Sequence, residues 1–299
     1  MREKVLIIGG TGFIGSHILK TFTKKNYKLY SLSKKKIKNF KKIKNVKYIF
    51  SDVSKLNKLK NISEKQFDHI VNLCGYVDHK NKKENNSCHF EGSKNVAKVF
   101  NSYKLKTFIQ VGSSLEYGRL KSPQKEKRLC KPIGVYGVSK YKASKFLQNF
   151  KKSKKFPYII LRPYQVYGPY QKKNRLIPLT IDACLKNQNF NCTSGKQLRD
   201  FIYIDDFCDL IVKIIKKKEI RRETFNIGSG KPVSVKFIIK KIQSLIKKGK
   251  PKFGFVKMRL DETQNLYPSI EKVKKKFGWS PKVTLIRGLK KTILSYEIR

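Results

Sequence analysis

Val5-Leu6-Ile7-Ile8-Gly9-Gly10-Thr11-Gly12-Phe13-Ile14-Gly15 is the stretch that decides the fold. The apolar run from Val5 to Ile8 reads as a buried strand, and the spacing from Phe13 to about Lys24 reads as a helix. Gly9, Gly12 and Gly15 therefore fall in and just after the turn between them. The first glycine permits a tight turn. Gly12 lets an anion approach the backbone, where the amides around Thr11, Phe13 and Ile14 and the helix dipole meet its charge. Gly15 allows the helix to pack closely on the strand. In this strand–helix context the spacing points to the pyrophosphate of a dinucleotide. A glycine-rich turn without a ligand is the alternative.

Working outward, short β-branched runs at 28–32, 46–50, 70–73, 107–111 and 158–161 alternate with helical spacing at about 88–103 and 136–150. That alternation predicts an α/β fold, a Rossmann-like doubly wound parallel sheet. Such sheets bind ligands beyond the carboxyl ends of their strands, where Asp52, Cys74-Gly75, Ser113-Ser114 and Arg162 fall. After Gly168 the elements become short and mixed. Strands at 202–204 and 225–227 are expected to rejoin the sheet, and helices at 235–248 and 270–277 to build a smaller C-terminal lobe. The expected organisation is a dinucleotide-binding domain over 1–165, rejoined by about 197–229, and a substrate-binding lobe from 166–196 and 230–299.

The 299 residues are 39% hydrophobic and 12% aromatic, enough for a packed core. No apolar run approaches a membrane span. The short apolar run near the N-terminus ends in glycines, which reads as a strand and not a signal peptide, so a cytoplasmic location without a membrane partner is expected. Lysine and arginine total 70 against 20 acids, a net charge of +50. Only 11 of the 70 are Arg, and the lysines are spread along the whole chain. Dedicated base and phosphate readers concentrate Arg in one element, so this charge reads as compositional bias, with no specific nucleic-acid partner. The six cysteines, Cys74, Cys88, Cys130, Cys184, Cys192 and Cys208, show no metal-ligand spacing. They read as reduced thiols packed as small hydrophobes, and no metal site is expected.

At the end of the second strand, where an NAD site usually carries an acid for the ribose 2′-hydroxyl, stand Ser33 and Lys34-Lys35-Lys36. With no carboxylate to repel a 2′-phosphate and ammonium groups to attract one, NADP(H) is favoured and NAD(H) stays open. Asp52-Val53 after the third strand reads either as an adenine contact or as a helix N-cap. Tyr136-Gly137-Val138-Ser139-Lys140 sets a phenol and an ammonium one helical turn apart on one face. A nearby cation favours the phenolate, so Tyr136 can exchange a proton with an alcohol or carbonyl oxygen. Lys140 can also reach the cofactor ribose, and Ser113 can hydrogen-bond the same substrate oxygen.

With these motifs in view, the chain resembles the extended short-chain dehydrogenases/reductases of the nucleotide-sugar epimerase/dehydratase family. The resemblance is carried by the glycine loop, Asn72–Gly75, Gly112–Gly118, Tyr136–Lys140, Leu161–Pro169, Arg199–Asp206, Phe225–Gly230 and Gly278–Pro281. It implies a Rossmann lobe, a smaller substrate lobe, dimerisation, and hydride exchange at C4 of a hexose on a nucleoside diphosphate. It makes Tyr136 the acid/base, Lys140 its tuning cation and Ser113 the hydroxyl partner, with Ser114 in reserve. Leu73, Cys74, Gly75 and Tyr164 are implied to line the cofactor. Arg199 and Arg259 would bind the diphosphate, Arg199 alternatively pairing with Asp200, Asp205 or Asp206. The chain departs from the family where Ser114-Leu115 replace the dehydratase acid, Glu116 standing one residue late. It departs again where His89 and Gln165 replace asparagines; His17, His69 and His79 read as structural. The expected activity is a C4 epimerase or a 4-ketoreductase, with reduction slightly favoured. The rival is a catalytically silent NADP(H)- or nucleic-acid-binding protein on the same fold.

Overall fold

The computed structural model describes residues 2–39, 42–62, 64–75, 81–150, 156–217, 219–259 and 262–297. His79 and Lys218 lie outside them. Contacts divide the chain into two compact units. One comprises Met1–Arg119, Glu126–Pro163 and Cys208–Phe225, the other Leu120–Lys125, Tyr164–Phe207 and Asn226–Arg299.

The first unit is built on β1 (Lys4–Ile8), β2 (Lys28–Ser33), β3 (Val46–Phe50), β4 (His69–Asn72), β5 (Thr107–Val111) and β6 (Tyr158–Pro163). With the strand Glu223–Ile227 they form a seven-stranded sheet in the order Glu223–Ile227, β6, β5, β4, β1, β2, β3. The pairings from β6 through β3 are all parallel. Strands buried on both faces read as continuous apolar runs, and Val5, Leu6, Ile7, Ile8, Ile70 and Val71 are all essentially without exposure. Helix α1 (Phe13–Thr23) buries Ile18, Leu19 and Phe22 along one face. Ile8 pairs with Asn72, and Asn72 with Gln110. The carboxyl ends of β1, β4 and β5 therefore lie side by side, the arrangement on which any ligand site here depends.

In the second unit the strand Phe201–Tyr203 pairs in parallel with Gln165–Tyr167. The strand expected at 202–204 thus does not rejoin the main sheet, and the chain returns to the first unit at Cys208, later than about 197. The reason is local: Ile204 opens a helix, Ile204–Lys216, with Asp205 and Asp206 in its first turn where the dipole favours acids. That helix, and those at Leu176–Leu185 and Leu285–Glu297, were not anticipated. The expected helices at 235–248 and 270–277 are present as Val235–Ile246 and Glu271–Phe277. Ser234 caps the former by accepting from the Phe237 amide at 3.1 Å. The latter stops at Gly278, whose φ of 54° lies in the left-handed region that suits glycine.

Candidate active site

The glycine turn sits at the carboxyl end of β1. Gly9 has φ 77°, and a Cβ there would lie 3.1 Å from the carbonyl oxygen of Leu73. At Gly15 a Cβ would fall 2.3 Å from the Gly9 oxygen and 2.6 Å from the Gly10 Cα. Glycine at these positions is what lets α1 start directly against the turn. Gly12 is the N-cap of α1, which has no side-chain cap and no acid in its first turn. The amides at its start are left to other acceptors, and Gly12 and Thr11 are exposed. An uncapped amide cluster with a glycine-lined approach fits an anionic pyrophosphate.

Thr11 donates to Ser33 Oγ at 3.0 Å, tying the glycine turn to the end of β2. Lys34 Nζ lies 3.0 Å from Asp52. The sequence expectation that no carboxylate stands beside Ser33 is corrected: parallel pairing of β2 with β3 brings Asp52 there. Asp52 also accepts from the Ser54 amide at 3.0 Å and the Ser54 hydroxyl at 2.7 Å. Its carboxyl is held below the usual range, burial being outweighed by Ser54 and Lys34. It caps a turn and not a helix, because α2 (Leu56–Lys60) begins at N-cap Lys55. Val53 is buried, and its carbonyl accepts from Asn95 at 3.0 Å.

The end of β4 is braced by the buried Asn72. Its amide donates to Ser93 at 3.1 Å and Gln110 at 2.8 Å, and its oxygen accepts from the Cys74 amide at 3.0 Å. Leu73 and Cys74 are half-buried and Gly75 is exposed. After α3 (Lys82–Asn85), a π-helical turn, Asn86–Glu91, precedes α4 (Gly92–Val99). Such turns insert a residue and re-aim side chains. Here the turn buries His89 against Gly75, where a Cβ would lie 2.7 Å from the imidazole Cε1.

Helix α5 (Gly134–Asn149) carries Tyr136 and Lys140. Tyr136 is half-buried, and its ring meets that of His89 edge-on at 5.0 Å and 84°. Lys140 is buried, with Nζ 6.0 Å from the Tyr136 ring centre and donating to the Val111 carbonyl at 2.8 Å. A Cβ at Gly137 would lie 2.7 Å from the Leu115 carbonyl, so this glycine lets α5 press onto the turn that holds Ser113. Contacts thus run from Gly9 through Leu73, Gly75 and His89 to Tyr136, and from Lys140 to Val111. The phenol, the ammonium and the glycine turn share one edge of the sheet.

Ser113 is buried and caps the 3-10 turn Ser114–Tyr117, its Oγ accepting from the Leu115 amide at 3.1 Å. The hydroxyl proton remains to be donated. Glu116, set aside in the sequence as misplaced for elimination, has a structural part that the sequence does not reveal. Its Oε1 accepts from the Ser113 amide at 2.9 Å, and its Oε2 from Arg162 Nε at 3.0 Å. Both charged groups are buried; burial disfavours the Arg162 cation, but Glu116 beside it leaves the guanidinium pKa raised. Burial pushes the Tyr117 phenol, under the same guanidinium at 4.6 Å, up to about 12. Ser114 is buried as well.

In the second unit, Arg199 is buried and reaches none of Asp200, Asp205 and Asp206. It donates to Glu262 at 2.6 Å, Leu198 O at 2.7 Å and Gln264 O at 3.2 Å. Arg259 is 72% exposed, with Nε 4.0 Å from the other oxygen of the same Glu262. Asp200 is used elsewhere: it accepts from the amides of Ser229 at 2.5 Å and Gly230 at 2.7 Å. Asp206 accepts from Lys282 and Val283. Tyr164 is buried, its hydroxyl donating to Gln124 at 2.6 Å, and Gln165 is exposed. Of the structural histidines, His69 is buried beside Glu3 at 3.2 Å and His17 packs on Phe13. Among the described residues no cluster of His, Cys, Asp or Glu could hold a metal ion. No helix among them is long and apolar enough to cross a membrane.

A parallel sheet with a glycine turn after β1 and a Tyr-x-x-x-Lys helix at the ends of β4 and β5 defines a short-chain dehydrogenase/reductase architecture. The model of the NAD dependent epimerase/dehydratase family matches residues 5–228, and the chain belongs to that family. It is 34% identical over 272 residues to a dTDP-D-glucose 4,6-dehydratase of Dictyostelium discoideum, covering 80% of this chain. The chain spans 61% of the length of that relative. The UDP-glucose 4-epimerase of Thermotoga maritima, solved with UDP-glucose, superposes with a TM-score of 0.92 at 23% identity, over 99% of both chains. The Thermus thermophilus UDP-glucose 4-epimerase, solved with NAD, superposes with a TM-score of 0.89 at 19% identity, over 98% of this chain and 99% of that one.

Proposed function

We propose that this chain is a nicotinamide-dinucleotide-dependent oxidoreductase of nucleotide sugars, acting at C4 of the hexose as an epimerase or a 4-ketoreductase. The observation that carries the reading is the convergence of Tyr136, Lys140 and the glycine turn on one sheet edge, with Lys140 Nζ 2.8 Å from Val111 O. The amides at the start of α1 would hold the pyrophosphate, and Leu73, Cys74 and Gly75 would line the dinucleotide. When bound, the nicotinamide supplies or accepts a hydride. Tyr136 holds the proton that the C4 oxygen gains or loses. Ser113 donates to the same oxygen and fixes its orientation.

Elimination of water as in a dehydratase is not favoured. Leu115 stands where the acid would be, and Glu116 is buried with both oxygens engaged. The cofactor reading is open between the two nicotinamide dinucleotides. Lys34 to Lys36 favour a 2′-phosphate, whereas Asp52 opposes it. The diphosphate of the substrate is assigned to Arg199 and Arg259, bidentate donors suited to it. A cytoplasmic homodimer remains the expected form.

Purified protein incubated with UDP- and dTDP-linked hexoses and their 4-keto forms tests this. An epimerase interconverts C4 epimers with no net change in nicotinamide absorbance. A reductase consumes the reduced dinucleotide one for one with a 4-keto sugar nucleotide. Absence of both reactions, together with unimpaired function of Tyr136→Phe in cells, would establish the binding-protein alternative instead.

A further inference from the structure

Two of the six cysteines meet at the same sheet edge. Cys74 follows β4, its amide held by Asn72 at 3.0 Å. Cys88 lies in the π-helical turn Asn86–Glu91. Cys74 Sγ donates to the Cys88 carbonyl oxygen at 3.2 Å, which sets its sulfur against the turn that carries Cys88. Both are partly accessible, whereas Cys130, Cys184, Cys192 and Cys208 are buried. The contact also divides the pair. Hydrogen bonding to Cys88, then burial, keeps the Cys74 thiol protonated well above its ordinary range. The same bond, received from Cys74 and aided by Lys34, lowers Cys88, although burial, Glu84 and Asp52 oppose it. Burial pushes Cys130, Cys184 and Cys192 up. Thiolate character and access decide which cysteine reacts: access leaves Cys74 and Cys88, and of these Cys88 has the lowered thiol.

We propose that Cys74 and Cys88 form a redox pair, closed by hydrogen peroxide into a reversible disulfide at the carboxyl end of the parallel sheet. The Cys88 thiolate attacks one peroxide oxygen, the O–O bond breaks, and the departing hydroxide takes a proton to leave as water. Cys88 is then a sulfenic acid. The Cys74 sulfur attacks the Cys88 sulfur, the S–O bond breaks, and the hydroxide takes the Cys74 proton to leave as a second water. Two thiols are oxidised by two electrons and one peroxide is reduced. The Cys74 sulfur, held against the Cys88 backbone, has to close on Cys88 Sγ to about 2.05 Å. The new bond ties the end of β4 to the turn whose next residue, His89, packs on Tyr136.

The test uses the full chain, fully reduced, exposed to a small molar excess of hydrogen peroxide, alkylated and mapped by peptide mass. The expected result is a Cys74–Cys88 linked peptide and the loss of two of the six alkylatable thiols, both recovered with dithiothreitol. In Cys88→Ser the linked peptide is absent and Cys74 stays alkylatable. Oxidation falling first on one of the four buried cysteines, or Cys88 passing to sulfinic acid without linkage, would overturn the proposal. The wild-type map decides the matter even if the variant does not fold. It is read without turnover, so its failure leaves the catalytic reading untouched, and a failure of that reading leaves the disulfide standing.

Discussion

The Lys34 ammonium lies 3.0 Å from the Asp52 carboxylate, which joins the ends of two neighbouring strands by an ion pair. Lys34 is 61% exposed, so water and salt weaken the pair. A dinucleotide 2′-phosphate would have to share Lys34 with this carboxylate. Asp52→Asn is expected to tighten NADPH binding relative to NADH by roughly two- to fivefold, the scale of a screened surface charge. Titration of the two reduced cofactors by fluorescence measures it. An unchanged ratio would remove Asp52 from cofactor selection.

Tyr136→Phe keeps the ring that packs on His89 and deletes the hydroxyl. Proton exchange of this kind contributes about 10²–10⁴-fold to rate, so kcat is expected to fall on that scale while cofactor affinity stays within about twofold. Lys140→Met should lower kcat and also weaken cofactor binding, since the proposed function gives the ammonium both tasks. Steady-state kinetics alongside cofactor titration separates the two variants.

Glu116 and Arg162 form a buried pair, and removing one partner strands the other. Glu116→Ala is expected to destabilise the first unit by about 3–5 kcal/mol, measured by chemical unfolding. Glu116→Gln retains an acceptor for the Ser113 amide and should recover kcat more fully than stability. A variant that lost neither would show that the pair does not hold the Ser113 turn.

Glu262 sits between the two arginines assigned to the diphosphate. Glu262→Gln removes the charge that competes for them and is expected to lower the Kd for UDP by about three- to tenfold, the scale of one ordinary net hydrogen bond. Arg199→Lys, which cannot reproduce the guanidinium fork, should raise that Kd. Calorimetric titration with UDP gives both numbers. A Kd that rose in Glu262→Gln would mean that the carboxylate orients the arginines instead of competing.

Burial holds the His69 imidazole below its ordinary pKa, although Glu3 and Asp68 oppose the shift. The unfolded chain therefore binds more protons than the native chain below about pH 6.5, and stability falls as pH drops through that point. Glu3, itself held below its ordinary range, keeps its charge throughout this window. The unfolding midpoint in urea should thus decline between pH 7.5 and 5.5 in the wild type. His69→Asn should flatten that decline. An equal slope in both proteins would assign the pH dependence to other groups.

The centre of the parallel sheet was legible in sequence because strands such as β1 and β6 are buried on both faces, and an apolar run such as Val5 to Ile8 marks such a strand directly. The glycine turn and the Tyr136–Lys140 pair were equally local, since each needs only a few residues at a fixed spacing. The helix Ile204–Lys216 was also written in the chain: Phe207, Leu210, Ile211, Ile214 and Ile215 keep helical spacing and are all buried.

Pairings across long sequence separations belong to the tertiary structure. That Asp52 meets Lys34, that Arg199 chooses Glu262 over the acids next to it, and that Cys74 reaches Cys88 follow from which strand ends and turns lie side by side. A charged or sulfur side chain is satisfied by whichever partner the backbone brings within about 3 Å, and chain order does not state that partner. The sequence by itself determined the sheet, the glycine turn and the spacing of Tyr136 and Lys140 on one helix face. Folding alone decided the neighbours of each polar group, because those contacts are made by distance in space.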